Sequence, residues 1–401
     1  MTLTSETVRA WQGPAIFSYG FRPFFLGGAA WAVAAMALWI AILTGSLSVP
    51  TAFDSVSWHA HEFLFGYLGA VIAGFMMTAV PNWTGRPPIV GWQLAVLFAL
   101  WVAGRVAIVI SAHLTPWLVA LIDLSFGTVL MLSMAREITA GRNWRNIIVI
   151  GMLAVFVFGN GIFHWDAARG DYAASGFGLR VGLGASVMLI AIIGGRIIPA
   201  FTRNWLVQKG AGRLPAPPMQ RLDTGALLVL LAALLAWAAL PRSEVTAYLL
   251  LVSGALHLVR LSRWCGLATR VEPLVLVLHA AYLFVPLGAL AMGAEILLPG
   301  LLGIASAQHL WMGGAIGLMT LAVMSRATLG HTGRPLAAGA ATVAMYFALV
   351  IAVMARVAAG IWPAAAAGLH AVSGTMWIAA FSGFCVIYGP LLWLPRATAG
   401  D

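Results

Sequence analysis

The chain has 401 residues, 62% of them hydrophobic and only 8% charged, against roughly 25% charged residues in a soluble domain, and that balance excludes a soluble fold. Its net charge of +10 is spread thinly at the ends of apolar segments instead of gathered in one patch, which argues against nucleic acid as a partner. Cys265 and Cys385 are the only cysteines, so there is no disulfide framework, no Cys-x-x-Cys metal site and no covalent haem attachment.

Residues 1–19 are polar to mixed and lack a basic start followed by a short apolar stretch, so no cleaved signal peptide is expected. Apolar runs of bilayer length, about 20 residues each, then follow one another at 24–44, 60–80, 91–112, 116–135, 146–164, 181–200, 223–240, 246–263, 272–293, 305–324, 336–356 and 364–394. The fold class is all-α: a polytopic membrane bundle of about twelve transmembrane helices embedded in a lipid bilayer. The 17 Trp suit belts at the two membrane interfaces.

Basic residues alternate between the segment ends. If the N-terminus lies inside, the inner side holds Arg9, Arg22, Arg86, Arg136, Arg142, Arg145, Arg203, Lys209, Arg213, Arg221, Arg260, Arg263, Arg270, Arg326, Arg334 and Arg396. The outer side holds only Arg169, Arg180, Arg242 and Arg356. Retention of Lys and Arg on the cytoplasmic side then places both termini in the cytoplasm. The chain reads as a single integral membrane domain, 1–401, in which a loop at 206–221 containing Pro215, Pro217 and Pro218 separates halves 1–205 and 222–401. A competing pattern comes from Pro81/Thr84, Pro199/Thr202 and Ser325/Thr328 at the inner ends of the second, sixth and tenth spans, which implies three four-helix repeats.

Charges inside the spans need partners. Arg105, in the third span, and Asp123, in the fourth, sit at matching depth in an antiparallel hairpin, which reads as an ion pair; a proton-carrying role for Asp123 is the alternative. His257 and His279 match in depth across the eighth and ninth spans, roughly 9–10 Å from the inner face at 1.5 Å rise per residue. Such a pair suits a haem iron ligated from both sides or one copper, and equally two separate hydrogen bonds to neighbouring helices. Near the outer face stands Trp58-His59-Ala60-His61-Glu62. In an extended entry segment His59 and His61 share a side and one metal takes both, with His309 as a third imidazole; the alternative is a polar helix cap. Glu62 either orients a ligating histidine, carries protons or complements a helix N-terminus.

Two inner loops share a phrase, Thr84-Gly85-Arg86-Pro87 and His331-Thr332-Gly333-Arg334-Pro335. Turn formation and positive-inside charge explain it, while Arg86 and Arg334 also suit clamping of haem propionates, with Arg196 and Arg203 beside Pro199 as further clamps and His331 as a further metal ligand.

Taken together, Gly20-Phe21-Arg22-Pro23-Phe24-Phe25, Trp58-His59-Ala60-His61-Glu62, Ala79 to Pro87, Gly194 to Asn204 and Gly330 to Pro335 closely resemble the NnrS family of bacterial membrane proteins, over most of the chain. The resemblance implies a protein of the bacterial cytoplasmic membrane that contains haem and copper and is linked to nitric oxide metabolism, denitrification and nitrosative stress resistance. The haem would be a non-covalent haem b. The leading expectation is a haem–copper protein that binds or reduces nitric oxide, with Glu62 and Asp123 relaying protons and an unspecified electron donor. The competing one is a copper or haem transporter or chaperone, in which the same histidines form a passage.

Overall fold

In the computed structural model, which describes residues 11–210 and 212–395, the apolar runs are helices and no strand occurs among the described residues. Arg9 and Arg396, counted above as inner charges, lie outside the described residues. Twelve helices are long and apolar enough to cross a membrane: α1 Phe21–Leu43, α2 Ser55–Thr84, α3 Trp92–Val109, α4 Pro116–Ala140, α5 Trp144–Ala168, α6 Phe177–Gln208, α7 Arg221–Ala239, α8 Glu244–Ser262, α9 Pro273–Leu297, α10 Ile304–Thr332, α11 Ala340–Ile361 and α12 Pro363–Trp393. In hydrocarbon only a helix satisfies its own N–H and C=O groups, which is why each run folds this way. Apolar side chains such as Leu121, Phe158, Leu235, Phe347 and Val386 are left exposed, as lipid-facing residues are. Trp92, Trp117, Trp144, Trp165, Trp362 and Trp393 are exposed at helix ends, the interfacial position expected for them.

The chain divides into two compact units. Unit 1 is Met1–Gly182 with Ala327–Arg334 and Phe384–Asp401; unit 2 is Leu183–Arg326 with Pro335–Gly383. The Pro-containing loop at 206–221 lies inside unit 2.

In unit 1 the apolar window of α2 is 78% buried, against 28% for α1 and α4. Asp54 starts α2 by accepting from the backbone of Val56 and Ser57 at 3.1 and 2.9 Å. The segment that was expected to be extended around His59 is therefore helical. A π-helical stretch, Glu62–Tyr67, follows directly. Arg22 is buried and donates to the carbonyls of Leu392 and Leu394 at 3.0 and 2.6 Å, so it satisfies the C-terminal end of α12. The α5–α6 crossing depends on glycine: a Cβ on Gly178 would stand 2.3 Å from the backbone nitrogen of Phe163. Gly178→Ala is expected to cost about 1–3 kcal/mol through overpacking, seen as an earlier loss of the monodisperse peak on heating. Gly151→Ala, where a Cβ meets nothing within 4 Å, is the control and should behave as wild type.

In unit 2, α6, α9 and α10 each have 72% of the apolar window buried. The α8–α9 hairpin packs closely, and α7 begins with a capping box between Gln220 and Asp223. Glu295 accepts from the backbone of Gly300, Leu302 and Gly303 at 2.9–3.0 Å and closes the α9–α10 turn. A second π-helical stretch, Leu310–Leu318, starts immediately after His309. The first starts immediately after His61, and the same number of residues separates His61 from Thr84-Gly85-Arg86-Pro87 as separates His309 from Thr332-Gly333-Arg334-Pro335. Thus α2 and α10 share a local plan, in which Thr84 corresponds to Thr332 and not to Thr328 as in the pattern read from the sequence.

Candidate metal centre

The site in unit 1 is assembled from four helices. His61 and Glu62 come from α2 at the start of its π-helical stretch, Arg105 from α3, Asp123 from α4, and Asn160 and His164 from α5. All six are buried. Asn160 and His164 are four apart on α5 and so share one face of that helix.

Arg105 is the hub. Its Nη1 donates to Glu62 Oε1 at 2.6 Å and its Nη2 to Asp123 Oδ1. The ion pair read from the matched depths of Arg105 and Asp123 is present, and Glu62 makes it a triad. Two carboxylates against one guanidinium leave a negative charge to balance, and His61 is placed to do so. Its Nδ1 faces Glu62 Oε1 at 3.0 Å, while its Nε2 faces Asn160 Oδ1 at 3.0 Å and Asp123 Oδ2 at 3.3 Å. The Asn160 amide is oriented by its own donation to Asp123 Oδ2 at 2.8 Å, so its oxygen is what His61 meets. With acceptors on both ring nitrogens, His61 completes its bonds as an imidazolium, and the cluster is then electrically neutral. His164 Nε2 donates to Asp123 Oδ2 at 3.1 Å.

The same atoms form a donor set. One ligand atom each from His61, Asp123 and His164 lies within 4.8 Å of the other two, the one such convergence of His, Cys, Asp or Glu found among the described residues. Two imidazoles and a carboxylate suit copper, zinc or iron. Glu62 on the far nitrogen of His61 is the carboxylate–histidine arrangement that orients a ligating imidazole. Glu62 Oε2 is buried without a hydrogen-bond partner, a polar atom left over beside the donor set. Phe65, Phe126 and Phe156 line a cleft with Arg105, Asp123 and Asn160, so the cluster borders an apolar space.

Of the residues singled out in the sequence, Glu62, Asp123 and His61 converge here. His59 does not join them: on a helix it points to another face, where its ring stacks on Trp39 at 4.5 Å. His309 belongs to unit 2, where its Nδ1 bonds the carbonyl of Ala305 at 2.6 Å. His331 sits edge-on to Tyr19 with ring centroids 5.5 Å apart. The buried Tyr19 phenol, pushed up to about 12 by burial, keeps its proton and bonds the carbonyl of Thr78 at 3.3 Å. Arg86 pairs with Glu137, Arg203 and Arg334 are exposed, and Arg196 is half-buried on α6.

The inner histidine pair turns to separate partners. His257 bonds Tyr282 at 2.8 Å through Nδ1 and the carbonyl of Ala226 at 3.2 Å through Nε2. His279 Nε2 bonds Thr202 at 2.8 Å, and its buried Nδ1, with no hydrogen-bond partner, lies against Gly266. Arg260, counted above among the inner basic residues, is fully buried and pairs with Asp223 at 2.8 Å.

Sequence reading missed His164 and Asn160, which lie outside every shared phrase. Their four-residue spacing in an otherwise apolar span is the signal that points to them. No curated protein matches the chain. A family model described as NnrS protein matches residues 15–396, nearly the whole chain, which therefore belongs to the NnrS family of nitric-oxide-related membrane proteins.

Proposed function

We propose that this protein is a copper- and haem b-containing protein of the bacterial cytoplasmic membrane that binds or reduces nitric oxide in defence against nitrosative stress, with copper held by His61, Asp123 and His164. The observation that carries the reading is the buried His61–Asp123–His164 donor set beside an apolar cleft. Copper supplies a one-electron redox couple, which matches the single unpaired electron of nitric oxide. The chain's own residues do the rest. His61 and His164 offer neutral nitrogen donors once their protons give way to the cation, and Asp123 offers the anionic oxygen. Glu62 fixes the His61 ring, and Arg105 holds the second oxygen of Asp123 and the first of Glu62. The phenylalanine-lined cleft admits a small uncharged gas that already partitions into the bilayer. Glu62, whose Oε2 has no hydrogen-bond partner, is the group in the network placed to take up a proton and pass it on.

The His257–His279 pair does not fit a haem ligated from both sides. Both nitrogens of His257 are committed, and His279 presents only Nδ1 against a glycine backbone. Haem is therefore not assigned to that pair. The side with more basic loops faces the cytoplasm in this reading, by the positive-inside rule.

The test is copper analysis and pyridine haemochrome on purified protein, with nitric oxide consumption followed under reductant. One copper per chain, lost in His61→Ala and in His164→Ala but kept in His59→Ala and His309→Ala, is the expected result. Full copper in both His61→Ala and His164→Ala overturns the site. Copper flux into proteoliposomes without gas consumption would overturn the nitric oxide reading in favour of transport.

A further inference from the structure

Unit 2 holds a second buried network, which the metal site does not use. Tyr282 and Arg260 are fully buried, and Asp223, His257 and Trp264 nearly so. Counting donors and acceptors fixes where the protons lie. The carbonyl of Ala226 only accepts, so His257 Nε2, 3.2 Å away, carries a proton. In the neutral ring Nδ1 is then bare, and it accepts the phenolic proton of Tyr282 at 2.8 Å. Arg260 Nη1 donates to the same phenolic oxygen at 2.7 Å and to the carbonyl of Ala191 at 2.9 Å. Its charge is balanced by Asp223, which accepts from Nε at 2.8 Å. The Trp264 ring stands edge-on to Tyr282 with centroids 4.6 Å apart. Gly195 makes the arrangement possible, because a Cβ there would stand 2.0 Å from Arg260 Nη2.

A buried phenol that loses an electron and keeps its proton becomes a cation in a low-dielectric interior, which is costly. One that hands its proton to a base in hydrogen-bond reach avoids the strongly acidic phenol radical cation, the charge resting instead on the base, and His257 Nδ1 lies within that reach. We infer that Tyr282, His257 and Trp264 form a one-electron relay in unit 2, oxidised by a nitrogen-oxide radical. Nitrogen dioxide, the apolar radical formed where nitric oxide and oxygen meet, takes one electron from Tyr282 and leaves as nitrite. The phenolic proton moves to His257 Nδ1, so the products are a neutral tyrosyl radical and an imidazolium that still donates to Ala226. Trp264 adjoins the radical as the next carrier: an electron from its indole and the proton returned by His257 Nδ1 restore the Tyr282 phenol and leave the hole on Trp264. The choice of oxidant rests on the nitric oxide reading above, whereas the relay rests on the unit 2 geometry alone.

The experiment uses the full-length protein in detergent, in a background with the exposed Tyr172 and Tyr248 changed to Phe. Azidyl radical, a generic oxidant of aromatic side chains, and nitrogen dioxide are generated separately by pulse radiolysis. Phenoxyl absorption and freeze-quenched high-field electron paramagnetic resonance are the readouts. A tyrosyl signal with both oxidants is expected, abolished in Tyr282→Phe and formed about 100-fold more slowly in His257→Phe, the scale of losing a positioned general base. Copper content should be unchanged in both variants, which separates failure of the relay from failure of the unit 1 site. If Tyr282→Phe does not fold, ring-deuterated tyrosine in the otherwise unaltered chain shows by a narrowed spectrum that the radical is a tyrosyl, and a shifted g value that returns to the unshifted position in His257→Phe assigns it to Tyr282. A signal with azidyl only overturns the nitrogen-oxide assignment while leaving the relay. No signal with either, or one that survives in Tyr282→Phe, overturns the relay.

Discussion

Arg105→Gln should destabilise the protein by about 3–5 kcal/mol, the usual cost of removing one partner from a buried ion pair. The guanidinium bonds both Glu62 and Asp123, and its loss leaves two buried carboxylates facing one imidazolium. In hydrocarbon there is no water to take its place. The expected measurement is a fall in monodisperse yield after extraction and in the midpoint of thermal unfolding. Arg105→Gln with Asp123→Asn should recover much of that loss, because the remaining charges, Glu62 and His61, again balance. The double variant should nonetheless bind less copper than wild type, since an amide is a poorer ligand than a carboxylate. A single variant as stable as wild type would show that Arg105 is not the hub described.

Glu62→Gln should weaken copper binding by 10–100-fold, roughly the effect of removing an outer carboxylate from a ligating histidine. Glu62 belongs to no converging donor group, but its Oε1 lies 3.0 Å from His61 Nδ1 and fixes the ring that does. A competitive titration against a chelator of known affinity reads the change. Glutamine still offers an oxygen to His61, so the site keeps its shape and loses only the charge that makes the imidazole a stronger donor. An unchanged affinity would mean that Glu62 serves only the pair with Arg105. Loss of proton-coupled turnover at unchanged affinity would instead place it among the proton carriers alone.

Hydropathy was enough to locate all twelve spans, because membrane burial imposes a length and a composition that no other constraint imitates. Depth along each span was legible too, and it brought Arg105 to Asp123 correctly. Depth is one coordinate out of three, however, and the direction in which a side chain leaves its helix was not legible. His59 and His61 have nearly the same depth but leave α2 on different faces, and His257 and His279 share a depth while bonding to separate partners. The π-helical stretch after His61 was also hidden, since a local change of winding leaves no mark on hydropathy. Arg260 lies close to a helix end, as the count of inner charges has it, but its burial was not legible there. Its pairing with Asp223 required knowledge of how α7 packs on α8.

The lengths of α2, α6 and α10 have a mechanical consequence. They run for 30, 32 and 29 residues, or about 43–48 Å at 1.5 Å rise per residue, against about 30 Å of hydrocarbon. The excess has to tilt or project. On α6 the final turns carry exposed Arg203, Asn204 and Gln208, with Lys209 beyond them set over the ring of Trp205, so that end projects. On α2 and α10 the ends pass into Gly85-Arg86-Pro87 and Gly333-Arg334-Pro335. Each shared phrase therefore closes a helix longer than the hydrocarbon is thick, and α2 carries His61 and Glu62 within such a helix.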